Sequence, residues 1–260
     1  AAFIYVTPSH QYPTGSTMAP ERRMQLQDWA IRSNAYIVED DYDSDFFYDS
    51  APLPALKSLD KHEQVIYLGT FSKSLGAGLR IGYMIVPSHL ASAAISVKAL
   101  FNNCMPWLTQ AVLAEFMHSG AFLHHLRRLR MIYNTRRDFL LKTLMHRIGG
   151  AEIYGAQAGM HIAWQLPDGA PSAFDLERLA RSYGVGVYSL RTGNSMVLGD
   201  EAQTRYAHAM MLGFAALDEH EIDEGILRLS KAMGLSETAT QRFAARPFHL
   251  QASNEFEAVR

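Results

Sequence analysis

Residues 69–80 read GTFSKSLGAGLR and combine hydroxyl side chains, one lysine, small residues and a final arginine. Hydroxyl and guanidinium groups are donors that suit an anionic phosphate. A Walker A loop requires glycine directly before its lysine, and Ser72 stands there, so we reject that interpretation. Lys73 can instead be a Schiff-base lysine, because imine formation needs an amine that can shed its proton. On this segment alone, that interpretation and a surface lysine in a glycine-rich loop both remain open.

Short apolar runs precede and follow this segment, and they indicate β-strands at residues 3–6, 36–38, 65–68 and 80–86. A helical pattern that begins at Pro20 separates the first two runs. Short buried strands that alternate with helices predict an α/β domain with a largely parallel sheet. In such a sheet, ligands bind beyond the carboxyl ends of the strands.

The pattern changes after Pro87 to long helical stretches at residues 89–100 and 107–146. The second stretch is too long for an uninterrupted globular helix, and we expect a bend at Gly120. From residue 151 the chain has the pattern of a smaller α+β unit. Its predicted strands lie at 160–164 and 185–188, and its predicted helices at 172–183 and 219–233.

Composition excludes several classes of protein. The chain has 24 basic and 26 acidic residues, a net charge of −2, which is unlike the positive field of a nucleic-acid-binding domain. No apolar run is long enough to span a bilayer. The single cysteine, Cys104, excludes an internal disulfide and favours a cytoplasmic location. The histidines do not form a spaced set, so no metal site is predicted.

Acidic residues are concentrated at positions 39–45, which read EDDYDSD. A calcium-binding EF-hand loop that starts at Asp41 would require glycine at Phe46 and glutamate at Pro52, so that interpretation fails. A carboxylate at a strand end can pair with a protonated heterocyclic nitrogen. Taken alone, the segment favours a solvated acidic loop.

Together, the segments resemble the fold-type I pyridoxal 5′-phosphate (PLP) proteins, the aspartate aminotransferase superfamily. The resemblance implies that Lys73 forms the internal aldimine and that Thr70, Ser72 and Arg80 approach the phosphate. It places Asp40 at the pyridine nitrogen, because Asp40 follows the proline of Pro13-Thr14-Gly15 by 27 positions, the interval found in the superfamily. The implied fold is α/β, with part of a large PLP-binding domain and a smaller α+β domain.

One departure narrows the resemblance. The superfamily usually has asparagine before this proline, and here Tyr12 occupies the cofactor-binding position. The strings TPSHQYPTG at 7–15 and EDDYDS at 39–44 are similar to MocR-type (GabR-like, GntR family) transcription regulators. By that resemblance, Tyr42 hydrogen-bonds the phenolic oxygen of PLP in place of the missing asparagine. Arg191 would bind the carboxylate of a substrate or effector, and Arg205 is the reserve candidate.

The resemblance also implies an organisation in four parts. Residues 1–100 would be the carboxyl-terminal part of the large domain, 101–148 a helical connection, 149–235 the small domain and 236–260 a tail. The first strands of a complete domain have no counterpart, so we expect the chain to be part of a longer polypeptide.

Two functions follow as hypotheses. In the first, the chain is the effector-sensing domain of a regulator, and an amino acid or amine reacts with PLP to form an external aldimine. In the second, it is an active aminotransferase of amino acids, and Lys73 shuttles a proton. A scaffold that no longer binds PLP is disfavoured because Asp40, Lys73 and Arg80 are present. The resemblance further implies a homodimer, and contact with DNA only through an N-terminal winged helix-turn-helix domain that this chain lacks.

Overall fold

A computed structural model of the protein describes residues 2–49, 51–102, 106–149, 152–190 and 206–235, together with the backbone of 249–250. The chain divides into two units. The first contains Ala1–Gln11 and Thr17–Arg130, and the second contains Tyr12–Ser16 and Met131–Arg260. The four-part organisation expected from the sequence stays a prediction.

The first unit is built on a mixed four-stranded sheet with the strand order β1-β2-β3-β4. The strands are β1 (Phe3–Val6), β2 (Tyr36–Asp41), β3 (Val65–Thr70) and β4 (Gly82–Ile85). The first three are parallel, whereas β4 is antiparallel to β3. All four runs predicted from apolar residues are therefore strands, and β2 and β3 extend further than predicted, into the polar residues that follow each run.

Helix α1 (Pro20–Ser33) covers one face of this sheet. It begins at the predicted proline, whose fixed φ suits the first helical position. Ala30 of α1 packs with Ile37 of β2, Val65 of β3 and Leu56 at the start of the short helix α2 (Leu56–Leu59). Side chains of a strand alternate between faces. The residues next to Ile37 and Val65 therefore project to the opposite face of the sheet.

Three longer helices follow the sheet: α3 (Ala91–Asn102), α4 (Trp107–His118) and α5 (Ala121–Arg147). Gly120 lies between α4 and α5 with a φ of 77°, a left-handed conformation that glycine adopts at little cost. The predicted interruption at Gly120 is confirmed. Among the described residues, no helix has both the length and the apolar character needed to cross a lipid bilayer.

The second unit contains a five-stranded sheet with the order β7-β8-β6-β5-β9. Its strands are β5 (Glu152–Tyr154), β6 (His161–Gln165), β7 (Tyr188–Ser189), β8 (Ala209–Gly213) and β9 (His249–Leu250). Helices α6 (Ala173–Ser182) and α7 (Glu219–Ala232) have the predicted positions. Asp218 is the N-cap of α7 and exchanges hydrogen bonds with Glu221 in a capping box.

The strand predicted at residues 185–188 is wrong in its position, since β7 contains only Tyr188 and Ser189. Val185 instead helps to end α6, because its N–H donates to the carbonyl of Ala180 at 2.9 Å. The N–H of Gly184 donates to Arg181 in the same turn, at 3.0 Å.

Candidate functional site

The carboxyl ends of β1, β2 and β3 lie at one edge of the first sheet, because these strands are parallel. There β2 ends at Asp41, and β3 ends at Thr70 opposite Gly82 of β4. Tyr42 directly follows β2, and Lys73 belongs to the loop after β3. The Nζ atom of Lys73 is 6.0 Å from the centroid of the Tyr42 ring. The structure therefore brings together two of the residues that the sequence predicted to bind a cofactor.

Asp40 lies on the sheet face opposite α1, and its carboxylate accepts a hydrogen bond from the hydroxyl of Tyr5 on β1. Tyr5 pairs in register with Val38, two residues before Asp40, so both side chains project to the same face. Burial of the Tyr5 hydroxyl and its hydrogen bond to Asp40 raise the pKa of Tyr5 to about 12. Sequence analysis missed Tyr5, although the alternation of β1 and β2 carries the signal.

The carboxylates of Glu39 and Asp41, which flank Asp40 in the sequence, project toward α1 and are hydrogen-bonded within the fold. Glu39 is fully buried and accepts hydrogen bonds from the N–H groups of Leu56 (2.7 Å) and Lys57 (2.8 Å) at the start of α2. Asp41 accepts a hydrogen bond of 2.6 Å from the hydroxyl of Tyr67. Burial and this carboxylate raise the pKa of Tyr67. Of the three consecutive acids, only the middle one projects from the other face of the sheet.

The loop after β3 carries the predicted phosphate-binding side chains. The Oγ1 atom of Thr70 accepts a hydrogen bond from the N–H of Ser72 at 3.1 Å, and the two hydroxyl oxygens are also 3.1 Å apart. The N–H of Phe71 donates to the carbonyl of Ile81 at 3.1 Å, which closes the loop at its base. Arg80 is exposed and has a φ of 54°, the left-handed conformation that non-glycine residues seldom adopt. The loop thus presents two hydroxyls, an amine and a guanidinium.

The side chains of His10 and Asp43 form a buried pair beside Tyr42. The Nδ1 atom of His10 is 2.8 Å from Oδ2 of Asp43, and the two side chains are 1% and 2% exposed. The hydroxyl of Tyr42 is 3.3 Å from the same Nδ1 atom. His10 was set aside in sequence analysis because it belongs to no spaced metal set. Only the packing of the loop after β1 against the segment after β2 reveals its partner.

A buried arginine fixes the loop that follows β1. The guanidinium of Arg23, on α1, donates to the carbonyls of Met18 (3.0 Å), Pro54 (2.8 Å) and Pro8 (2.9 Å). Removal of the guanidinium from water lowers the pKa of Arg23. Because these three carbonyls come from separate segments, this side chain holds the backbone that leads to His10.

The remaining predicted residues belong to other parts of the chain. Tyr12 is counted with the second unit, precedes Pro13 through a cis peptide bond, and contacts the ring of His161 edge-on at 5.8 Å between centroids. Arg191 and Arg205 lie outside the described residues. The structure therefore brings Lys73 and Tyr42 together at the strand ends. The binding roles of all the residues named from the sequence stay predictions.

Comparison with known proteins identifies relatives over most of the chain. Residues 3–235 match the family model described as aminotransferase class I and II. An uncharacterized HTH-type transcriptional regulator of Bacillus subtilis, YdeL, is 38% identical over 232 residues, which are 88% of this chain and 48% of that protein. The probable rhizopine catabolism regulatory protein MocR of Rhizobium meliloti is 35% identical over 88% of this chain and 45% of its own length. The chain thus spans about half the length of these curated relatives.

A solved structure shows the same fold. The multiple substrate aminotransferase of Thermococcus profundus superposes with a TM-score of 0.77 at 29% identity, over 93% of this chain and 58% of that one. This likeness confirms the predicted fold class, α/β of fold-type I. The sheet of the first unit, predicted to be mainly parallel, has three parallel strands and one antiparallel strand.

Proposed function

Since the chain belongs to the aminotransferase class I and II family, we propose that it is a PLP-binding, effector-sensing domain of a MocR-type transcription regulator. The observation that carries this proposal is the approach of Lys73 to Tyr42, at 6.0 Å from Nζ to the ring centroid. It occurs at the carboxyl ends of the parallel strands β2 and β3, where ligands of α/β folds bind. The regulators of B. subtilis and R. meliloti among the relatives support the sensing role.

The donors of the first unit fit the chemical groups of PLP. The amine of Lys73 matches the aldehyde, which it would bind covalently. The hydroxyls of Thr70 and Ser72 and the guanidinium of Arg80 match the phosphate. Asp40 matches a protonated ring nitrogen, because its carboxylate projects from the sheet face that α1 leaves uncovered. When bound, PLP supplies an electron sink for reactions at the carbon that bears an amine.

The effector would be an amino acid or another amine. Its amino group would take the place of the Lys73 amine, which is then released into the site. The carboxylate of an amino acid would be bound by the guanidinium of Arg191, or by that of Arg205 as the reserve candidate. Sensing requires that the effector bind two conformations of the protein with different free energies, since only that difference shifts their populations.

A second candidate is catalysis of amino-group transfer, which the likeness to the T. profundus aminotransferase supports. It would use the same residues, with the released Lys73 amine moving a proton as a general base and acid. Steady-state turnover separates the two candidates. Sustained conversion of an amino acid in the presence of an oxo acid would support the enzyme, and its absence with retained effector binding would support the sensor.

The partners of the whole protein are part of the same proposal. By analogy with the HTH-type relatives, an N-terminal winged helix-turn-helix domain would contact DNA. Two copies would form a homodimer, and the protein would act in the cytoplasm.

The proposal is tested by adding PLP to the full-length polypeptide that contains these residues, and by comparing wild type with Lys73→Ala. We expect a visible absorbance band in wild type, and after borohydride reduction we expect the PLP label on the peptide that contains Lys73. Lys61→Ala is the matched control, because Lys61 is exposed and precedes β3 at the opposite edge of the sheet. A band that survives in Lys73→Ala, or no band in wild type, would overturn the proposal.

A further inference from the structure

We propose that Tyr5 is a positioning residue, whose hydroxyl holds the carboxylate of Asp40 in place for the protonated ring nitrogen of PLP. The inference begins with the register of the first sheet, in which Tyr5 of β1 pairs with Val38 of β2. Asp40 lies two residues beyond Val38, which is about 6.6 Å further along the strand. The long side chain of the tyrosine spans this distance, and its hydroxyl donates a hydrogen bond to Oδ2 of Asp40.

The second step concerns the reason for a tyrosine at this position. The residues on either side of it, Ile4 and Val6, pack against the core cluster that contains Ala30 of α1. Tyr5 projects from the opposite face of the sheet and is more than half exposed, so burial of its ring contributes little to that core. What distinguishes Tyr5 is its hydrogen bond. Among the described residues, its hydroxyl is the one donor that reaches the side chain of Asp40.

The chemistry of the two groups fixes the direction of this hydrogen bond. An ionised carboxylate can only accept, so the phenol donates. Burial and the bond to Asp40 raise the pKa of Tyr5 to about 12, and the phenol therefore keeps its hydrogen at neutral pH. Restraint of a side chain before a ligand binds reduces the conformational entropy that is lost on binding. A carboxylate restrained by Tyr5 thus pairs more favourably with a cationic ring nitrogen than an unrestrained one.

The role toward PLP rests on the proposed function, whereas the contact between Tyr5 and Asp40 does not. If the role is correct, Tyr5 contributes to PLP binding through the ring nitrogen and not through the stability of β1. The same sheet offers a matched comparison. Tyr67 of β3 also donates to a carboxylate of β2, that of Asp41, at 2.6 Å but on the other face. Replacement of tyrosine by phenylalanine can therefore be compared on the two faces.

The first measurement is carbon NMR of the aspartate carboxyl groups in the full-length polypeptide that contains these residues, without PLP. The resonance of Asp40 is assigned by its loss in Asp40→Asn. Tyr5→Phe is expected to shift this resonance, because the carboxylate loses its donor, whereas Tyr67→Phe is expected to leave it unchanged. An Asp40 resonance that is the same in Tyr5→Phe as in wild type would overturn the inference, whether or not PLP binds.

The second measurement compares the dissociation constant of PLP with that of an analogue in which a CH group replaces the ring nitrogen. We expect Tyr5→Phe to weaken the binding of PLP about tenfold and to leave the binding of the analogue unchanged, because the analogue cannot pair with Asp40. Tyr67→Phe is expected to keep both wild-type constants. Equal losses for the two ligands in Tyr5→Phe would show that Tyr5 acts through the fold alone, and they would overturn the inference.

A double-mutant cycle tests whether Tyr5 acts through Asp40. Once Asp40→Asn is present, Tyr5→Phe should weaken PLP binding no further, and additive losses would contradict the positioning role. Absence of PLP binding in wild type would overturn the proposed function and, with it, the role of Tyr5 toward PLP. The NMR comparison would still decide whether Tyr5 holds the carboxylate of Asp40, so the two failures are distinguishable.

Discussion

The hydroxyl of Tyr5 donates a hydrogen bond to the carboxylate of Asp40 across the first two parallel strands. This bond engages the Oδ2 atom of the Asp40 carboxylate. Tyr5 is 55% exposed, so the sheet face that carries both residues is open in the first unit. The same face bears the one carboxylate of residues 39–41 that does not project toward α1. The pair thus belongs to the site that we propose for the ring nitrogen of PLP.

The raised pKa of Tyr5 predicts a loss of stability at high pH. The pKa rises from about 10 in the unfolded chain to about 12 in the fold, because the hydroxyl is partly buried and donates to Asp40. The contribution of Tyr5 to the free energy of unfolding is complete below the pKa of the unfolded chain. It is lost as the pH rises through the higher pKa of the folded state. We expect the free energy of unfolding, measured with urea between these two pH values, to fall less steeply in Tyr5→Phe than in wild type. If the free energy of unfolding falls with pH equally in wild type and Tyr5→Phe, the raised pKa does not belong to Tyr5.

Arg23→Met is expected to destabilise the first unit by about 3 kcal/mol, because three backbone carbonyls would lose the buried guanidinium that donates to them. Urea unfolding followed by circular dichroism measures the change. Arg22→Met is the matched control: the neighbouring Arg22 is exposed and bonds only to the side chain of Gln25 among the contacts described, at 3.2 Å. Arg22→Met should lower the free energy of unfolding by less than about 0.5 kcal/mol. Equal effects of the two substitutions would show that the buried donors are not needed.

Arg191→Ala is expected to separate PLP binding from effector binding. If Arg191 binds the carboxylate of an amino acid, its loss should leave the visible PLP band unchanged and weaken the band shift caused by amino acids about tenfold or more. Amines without a carboxylate should be unaffected, which provides an internal control. Arg205→Ala is measured in parallel, and a larger effect there would transfer the role to the reserve candidate.

The strands of the first sheet could be predicted because each is a short apolar run that ends in polar residues. Strands such as β5 escaped prediction: with only three residues, Glu152–Tyr154, it is too short to show a period. The boundary of β7 was missed because the residues after α6 are used by the end of that helix. Local hydrogen bonds of this kind compete with strand pairing, and they cannot be predicted from amino-acid composition.

Prediction of the site had a similar limit. Lys73, Tyr42 and Asp40 could be named from their sequence motifs and spacing, and the first two are 6.0 Å apart, from Nζ to ring centroid. Tyr5 and His10 were not named, because each is hydrogen-bonded to a partner more than 30 residues away in the sequence. Which side chains meet across strands depends on register and on the path of the loops, and both are properties of the folded chain.

Glu39→Gln tests whether a buried carboxylate holds the start of α2. Desolvation raises the pKa of Glu39, although hydrogen bonds from the N–H groups of Lys57 and Leu56 oppose the shift. A carboxyl with a raised pKa stabilises the fold most at low pH, and this contribution is lost as the pH rises through the folded-state pKa. Urea unfolding should therefore show that wild type, relative to Glu39→Gln, is more stable at about pH 4.5 than at pH 7. At pH 7 the substitution itself should cost about 1–2 kcal/mol, since the neutral amide has one acceptor oxygen for two donors. A wild-type advantage that grows with pH would mean that hydrogen bonding outweighs desolvation and lowers the pKa of Glu39.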